Sequence, residues 1–92
     1  MDFFLITYDI PDDKRRTKTA SLLQDYGERV QFSVFEVWLD EAMQRDLMSR
    51  LKKIIDDEED SVRLYQLCAS CQKQVMALGQ GRLPEPPGVV II

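Results

Sequence analysis

Near the start of the chain, Phe3–Asp9 (FFLITYD) sets the terms for what can follow. Phe3, Phe4, Leu5 and Ile6 are apolar on both parities. Successive side chains on a strand point to opposite faces, so this is the pattern of a strand covered on both sides. Tyr8 and Asp9 break the run and Pro11 ends it. A carboxylate at the exit of a central strand stands where ligands usually meet an α/β sheet. Lys14, Arg15, Arg16 and Lys18 come directly after. A carboxylate on a rigid strand, with cations on the next helical turn, suggests a metal ion and a phosphate. Asp9 reads equally as a turn-capping residue ahead of Pro11. The four cations read equally as a solvated helix face.

The strand needs partners, and the rest of the chain supplies them in order. Asp12 or Asp13 caps a helix over about 13–26, with Ala20, Leu22, Leu23 and Tyr26 inward and Gly27 closing it as a C-terminal glycine. Residues 29–39 (RVQFSVFEVWL) are β-branched and aromatic and predict strand. Their length predicts a tight hairpin near Phe32-Ser33. Beyond it Phe35, Val37 and Leu39 share one face, and Val34, Glu36 and Trp38 the other. Asp40 caps a second helix over about 41–55, where Met43, Leu47, Leu51 and Ile54 recur on one face. Asp56–Asp60 is a solvated acidic turn. Ser61–Leu67 (SVRLYQL) alternates as a strand, and Val75–Leu78 predicts a further short one.

The order β-α-β-β-α-β is the ferredoxin-like pattern, an α+β fold with an antiparallel sheet and both helices on one face. It leaves the second face of the sheet bare, yet strand 1 is apolar on that side too. The simplest cover is a second copy, giving a homodimer. Size points the same way. A 92-residue chain buries only roughly 60–65% of its unfolded surface and is marginal alone. Two cysteines make no disulfide framework. We divide the chain into a core over 1–78, a Gly/Pro-rich linker over 79–88, and a C-terminal strand over 89–92. Val89, Val90, Ile91 and Ile92 are β-branched where termini are usually polar. They pair either with the chain's own sheet edge or with a partner's.

Composition excludes several functions. There is no histidine, so no Ser–His or Cys–His nucleophile pair and no His-ligated zinc. Hydrolysis would have to run through carboxylates and a hard metal, or through an unusual cysteine. Cys68 and Cys71 form a lone C-x-x-C, which supplies half of a closed zinc site and lacks a thioredoxin-like setting. They read as buried free thiols. The net charge of −4 argues against nucleic acid at first sight. The five consecutive acids at 56–60 account for it, however, and without them the balance becomes +1. No apolar run reaches the ~20 residues of a membrane span. MDFFLITYD has no basic n-region, so a signal peptide is not expected and the cytoplasm is the default location.

Three stretches together carry a family likeness: LITYDIPDDKRR (5–16), LLQDYGERVQFSVFE (22–36) and DSVRLYQLC (60–68). In that order they resemble the small CRISPR-associated subunit of the spacer-acquisition complex, the CRISPR-associated endoribonuclease family, over about residues 3–78. The resemblance implies a ferredoxin-like homodimer that binds DNA or RNA and partners the CRISPR integrase subunit. It implies that Asp9 is the metal-binding and catalytic residue, with magnesium as the cofactor. It places Tyr8, Lys14, Arg15, Arg16, Lys18, Ser33 and Phe35 near the nucleic acid, and Val89–Ile92 at the integrase. Three functions stay open at this point: a scaffold for DNA integration, a magnesium-dependent endonuclease, and a small-molecule sensor on the same architecture.

Overall fold

A computed structural model describes residues 1–79. The linker over 80–88 and the strand expected at 89–92 lie outside the described residues. The elements run β1 (Asp2–Asp9), α1 (Asp13–Gln24), β2 (Gly27–Gln31), β3 (Val34–Leu39), α2 (Glu41–Ile54), β4 (Ser61–Leu67) and a single turn, α3 (Ala69–Gln72). The strands form one sheet in the order β2-β3-β1-β4, with β1 antiparallel to both neighbours. This is the expected ferredoxin-like α+β arrangement. The apolar run of β1 belongs in the middle because only a central strand is flanked on both sides.

Each helix begins where a carboxylate can take an unpaired backbone donor. Asp12 caps α1 by accepting the Arg15 N–H at 2.9 Å. Asp40 caps α2 by accepting the Met43 N–H at 2.8 Å. Phe4, Ile6 and Tyr8 of β1 meet Phe35, Val37 and Leu39 of β3 on one side of the sheet, and Leu22, Leu23, Leu47 and Leu51 of the two helices close over them. Both helices therefore lie on that face. Burial of each such side chain contributes about 1.5–3 kcal/mol. Thr19 is also fully buried, and its hydroxyl donates to the Arg15 carbonyl at 2.9 Å.

Two expectations about elements are corrected. Gly27 does not close α1. The helix ends at Gln24 with Asp25 as its cap, and Gly27 opens β2 opposite Val37. Val75–Leu78 forms no strand, having no neighbour to pair with among the described residues. The hairpin falls where the long 29–39 run requires it, with Phe32 and Ser33 as its turn. The second face of the sheet carries Phe3, Leu5, Val34, Glu36, Trp38, Tyr65 and Leu67 by register. No helix among the described residues is long and apolar enough to cross a membrane.

Candidate functional site

Asp9 is the last residue of β1 and is exposed. It stands opposite Ser61 of β4, in a shallow cleft of 250 Å³ lined by Thr7, Tyr8, Asp9, Ser61 and Arg63. The cation that shares this cleft is Arg63, not a member of the α1 cluster. The signal for it was in the sequence: alternation along SVRLYQL puts Arg63 on the outer face, and the register sets it beside Thr7. Among the described residues no three cysteine or carboxylate side chains gather as metal ligands. One chain thus offers one well-placed carboxylate, two hydroxyls and a guanidinium. That set fits magnesium only if further oxygens come from a second copy or from a phosphate.

The α1 cations have different employments. Arg15 is committed inside the chain. Its Nε donates to Asp60 Oδ2 at 2.7 Å and its Nη2 reaches both Asp60 Oδ1 and Glu59 Oε2 at 3.1 Å. The Asp60 side chain has 0% exposure against 62% for Glu59, so the acidic run is not uniformly a solvated turn. Its last member anchors the run to α1, and the Arg15 hydrogen bond holds the Asp60 carboxyl below the usual carboxylate range. Arg16 donates to the Ile10 carbonyl at 3.1 Å and pairs with Asp13. Lys14 and Lys18 are exposed and enter no ion pair among the described residues. They are the two cluster members available to a phosphate as the chain stands.

The other expected contact residues sit at the root of the hairpin. The Ser33 carbonyl accepts the Tyr8 N–H at 3.1 Å. The Tyr8 hydroxyl donates to the Phe32 carbonyl at 3.1 Å and accepts from Arg29 Nη2 at 3.4 Å. Phe35 is fully buried beneath the Arg29 guanidinium, which lies 5.7 Å from its ring centre. Tyr8 and Phe35 therefore support the hairpin and do not present themselves to solvent. Arg29 and Phe32 are not singled out by the sequence, since nothing local marks an arginine in RVQF until the hairpin folds it back on its own turn.

Glu36 and Trp38 are half-buried on the sheet face opposite the helices. Trp38 packs edge-on against Phe3, with ring centres 5.2 Å apart, and its Nε1 is the one buried side-chain polar atom without a partner among the described residues. Burial and then the neighbouring Glu28 push the Glu36 carboxyl above its ordinary value of 4.5. A carboxyl protonated more readily when folded favours the fold most below that ordinary value. The contribution fades as pH rises through the raised one. Glu36→Gln is therefore expected to melt above the wild type at neutral pH, by less than about 1 kcal/mol for a part-solvated group. The difference should close in mild acid, as a series of thermal melts across pH would show.

Cys68 and Cys71 are both exposed, which corrects the expectation of buried thiols. Cys68 Sγ accepts the Cys71 N–H at 3.4 Å at the start of α3. β4 ends before them, and among the described residues nothing covers either side chain.

The sequence matches the family model of CRISPR associated protein Cas2 over residues 1–75. It is 49% identical over 92 residues to the CRISPR-associated endoribonuclease Cas2 3 of Synechocystis sp., covering 100% of both chains. It is 49% identical over 82 residues to the CRISPR-associated endonuclease Cas2 2 of Thermus thermophilus, covering 89% of this chain and 87% of that one. Among solved structures, a chain of a partial Cas6-RT-Cas1–Cas2 complex superposes with a TM-score of 0.81 at 34% identity, covering 99% of this chain and 100% of that one.

Proposed function

The chain belongs to the CRISPR-associated Cas2 family, and on that footing we propose that it is the homodimeric nucleic-acid scaffold of a CRISPR adaptation complex, with a magnesium-dependent phosphodiesterase site at Asp9. The observation that carries the dimer is the sheet face opposite the two helices, which no helix covers among the described residues. Leu5, Trp38 and Leu67 line it half-buried and Tyr65 stands exposed on it, and an apolar sheet face of this kind is covered in stable proteins. A two-fold axis passing near the end of β1 on that face would also bring a second Asp9 to the first. The integrase subunit is the proposed protein partner, since a structural neighbour is a chain of a complex that contains Cas1. Val89–Ile92 is its proposed docking strand.

The nucleic acid would lie along the side that carries Lys14 and Lys18, doubled by symmetry, with binding that falls steeply as salt rises. When bound, magnesium supplies a polarised phosphate oxygen and a more acidic water. Asp9 and its counterpart would hold the ion, and Arg63 would hold the phosphate that approaches the same cleft. A second reading, a nuclease acting alone on RNA or DNA, draws on the same exposed carboxylate beside Arg63.

Tyr65 stands 46% exposed opposite Leu5 on the bare face, so its substitution tests the assembly. Tyr65→Glu places a carboxylate where the two sheets would meet. Arg63, which donates to the Tyr65 hydroxyl at 3.3 Å, can pair with it, but burying that pair between sheets costs more than burying the phenol. Sedimentation velocity should show the wild type as a dimer and the variant at least about tenfold weaker in association, or about 1.4 kcal/mol. The circular dichroism of the variant should stay that of the wild type, because the ring is not in the core. A variant that associates as tightly as the wild type would remove the sheet face from the proposal.

A further inference from the structure

Two thiols stand on one turn beyond the end of β4. Cys68 and Cys71 are both exposed, and the backbone between them is fixed. The Gln72 N–H donates to the Cys68 carbonyl at 2.9 Å, and the Lys73 N–H to the Ala69 carbonyl at 3.3 Å. Helical geometry holds Cα atoms at i and i+3 about 5 Å apart, inside the roughly 4.4–6.8 Å that a disulfide spans. The sulfurs already meet. Cys68 Sγ accepts the Cys71 backbone N–H at 3.4 Å, and the Cys71 thiol donates to the same sulfur. The two thiols are thereby unequal. The Cys71 N–H and then the Cys71 thiol hold Cys68 below the ordinary thiol range, while the bond to Cys68 holds Cys71 above it. One sulfur is set to attack and the other to follow.

We propose that Cys68 and Cys71 form a reversible redox site, which a low-molecular-weight disulfide oxidises to an intramolecular disulfide across the α3 turn. The Cys68 thiolate attacks one sulfur of the small disulfide. The S–S bond breaks, one small thiolate leaves, and a mixed disulfide forms at Cys68. Cys71 then gives up its proton, and its thiolate attacks Cys68 Sγ and expels the second small thiolate. The two protons lost by the cysteines end on the two small thiols. Two electrons pass from the protein to the small disulfide, which is reduced. α3 is a single turn with no strand after it among the described residues. The pair therefore lacks the setting of a thioredoxin-like oxidoreductase and is a modification site of this chain. It is remote from Asp9, since Leu67 pairs with Phe3 at one end of β4 and Ser61 with Asp9 at the other. The inference does not rest on the nuclease reading.

The test equilibrates the full, reduced chain with oxidised and reduced glutathione at set ratios. Excess maleimide under denaturing conditions then traps the free thiols, and the intact chain is weighed by mass spectrometry. The oxidised wild type should be two hydrogens lighter, unlabelled and free of glutathione. Its fraction should fall with the square of the reduced glutathione concentration, because two small thiols are released per ring closed. Cys71→Ser should stop at the mixed disulfide, with one glutathionyl group on Cys68. Cys68→Ser should take up glutathione at least about threefold more slowly, since Cys71 ionises less readily. Circular dichroism should be the same for all three proteins, because both side chains are exposed. A wild type that keeps both thiols open to maleimide would overturn the proposal. So would a glutathionyl group retained on each cysteine, a disulfide that links two chains, or equal rates in the two serine variants.

Discussion

Asp9→Asn is expected to lower magnesium-dependent cleavage of RNA or DNA by about 100-fold or more, the loss of roughly 3 kcal/mol of metal-assisted stabilisation. The substitution keeps the shape of the side chain and removes the charge that would hold the cation. Asp9 is exposed at the end of β1 and is used by no side-chain hydrogen bond or ion pair among the described residues. The variant should therefore melt with the wild type. Chelation should abolish the wild-type activity and leave the residual activity of the variant unchanged. Because Tyr65 touches Arg63, Leu67→Glu supplies the second arm, on the same sheet face but opposite Phe3 at the far end of β4 from Asp9. If the ion is shared across the sheet-to-sheet contact, the dissociated variant loses cleavage with its Asp9 intact. Cleavage that persists in both variants would come from a contaminating nuclease. Cleavage lost in Asp9→Asn and kept in a proven monomer would place a complete site on one chain. Spacer acquisition that survives Asp9→Asn would leave the scaffold as the role that matters.

The fold was legible in the sequence because its signals are periodic. β1 is apolar on both parities, β3 alternates, and α2 carries Leu47 and Leu51 at the spacing of one helical face, so each period named its element. The cap Asp40 was legible, and the first cap was narrowed to Asp12 or Asp13, for a local reason, since a carboxylate ahead of a helix has one backbone donor to satisfy; the fold selects Asp12. The site was legible in part. The position of Asp9 at the exit of β1 could be read because it depends on β1 alone. Arg63 could be found from β4, but its meeting with Asp9 depends on a register between strands far apart in the chain. Arg15 shows the opposite failure. Charge counting assigned it to a ligand, whereas the fold returns the acidic run to it and Asp60 takes the guanidinium. Phe35 and Phe32 show the same limit. The two lie three residues apart at the hairpin, and only the fold decides that one is fully buried and the other open.

Gly27→Ala is expected to cost about 3 kcal/mol, the upper range for forcing atoms into a packed site, and so to lower the melting temperature by roughly 12–24 °C in a domain of this size. The reason is proximity, not turn geometry. A Cβ on residue 27 would stand 2.2 Å from the Glu36 carbonyl oxygen and 2.8 Å from the Val37 Cα. Both are backbone atoms of β3, so no side chain can rotate out of the way. Relief requires β2 itself to move, and β2 is an edge strand held on one side by β3. Movement there breaks the pairing of Gly27 with Val37 and carries Arg29 and Phe32 with it. A melt would measure the first effect, and near-UV circular dichroism below the melting temperature the second, because the Tyr8 hydroxyl is bonded to the Phe32 carbonyl. If glycine were required only for a helix C-terminus, alanine would cost about 1 kcal/mol and leave that signal alone. A large loss of stability together with a changed near-UV signal would show that close packing of β2 on β3 sets the position of the hairpin.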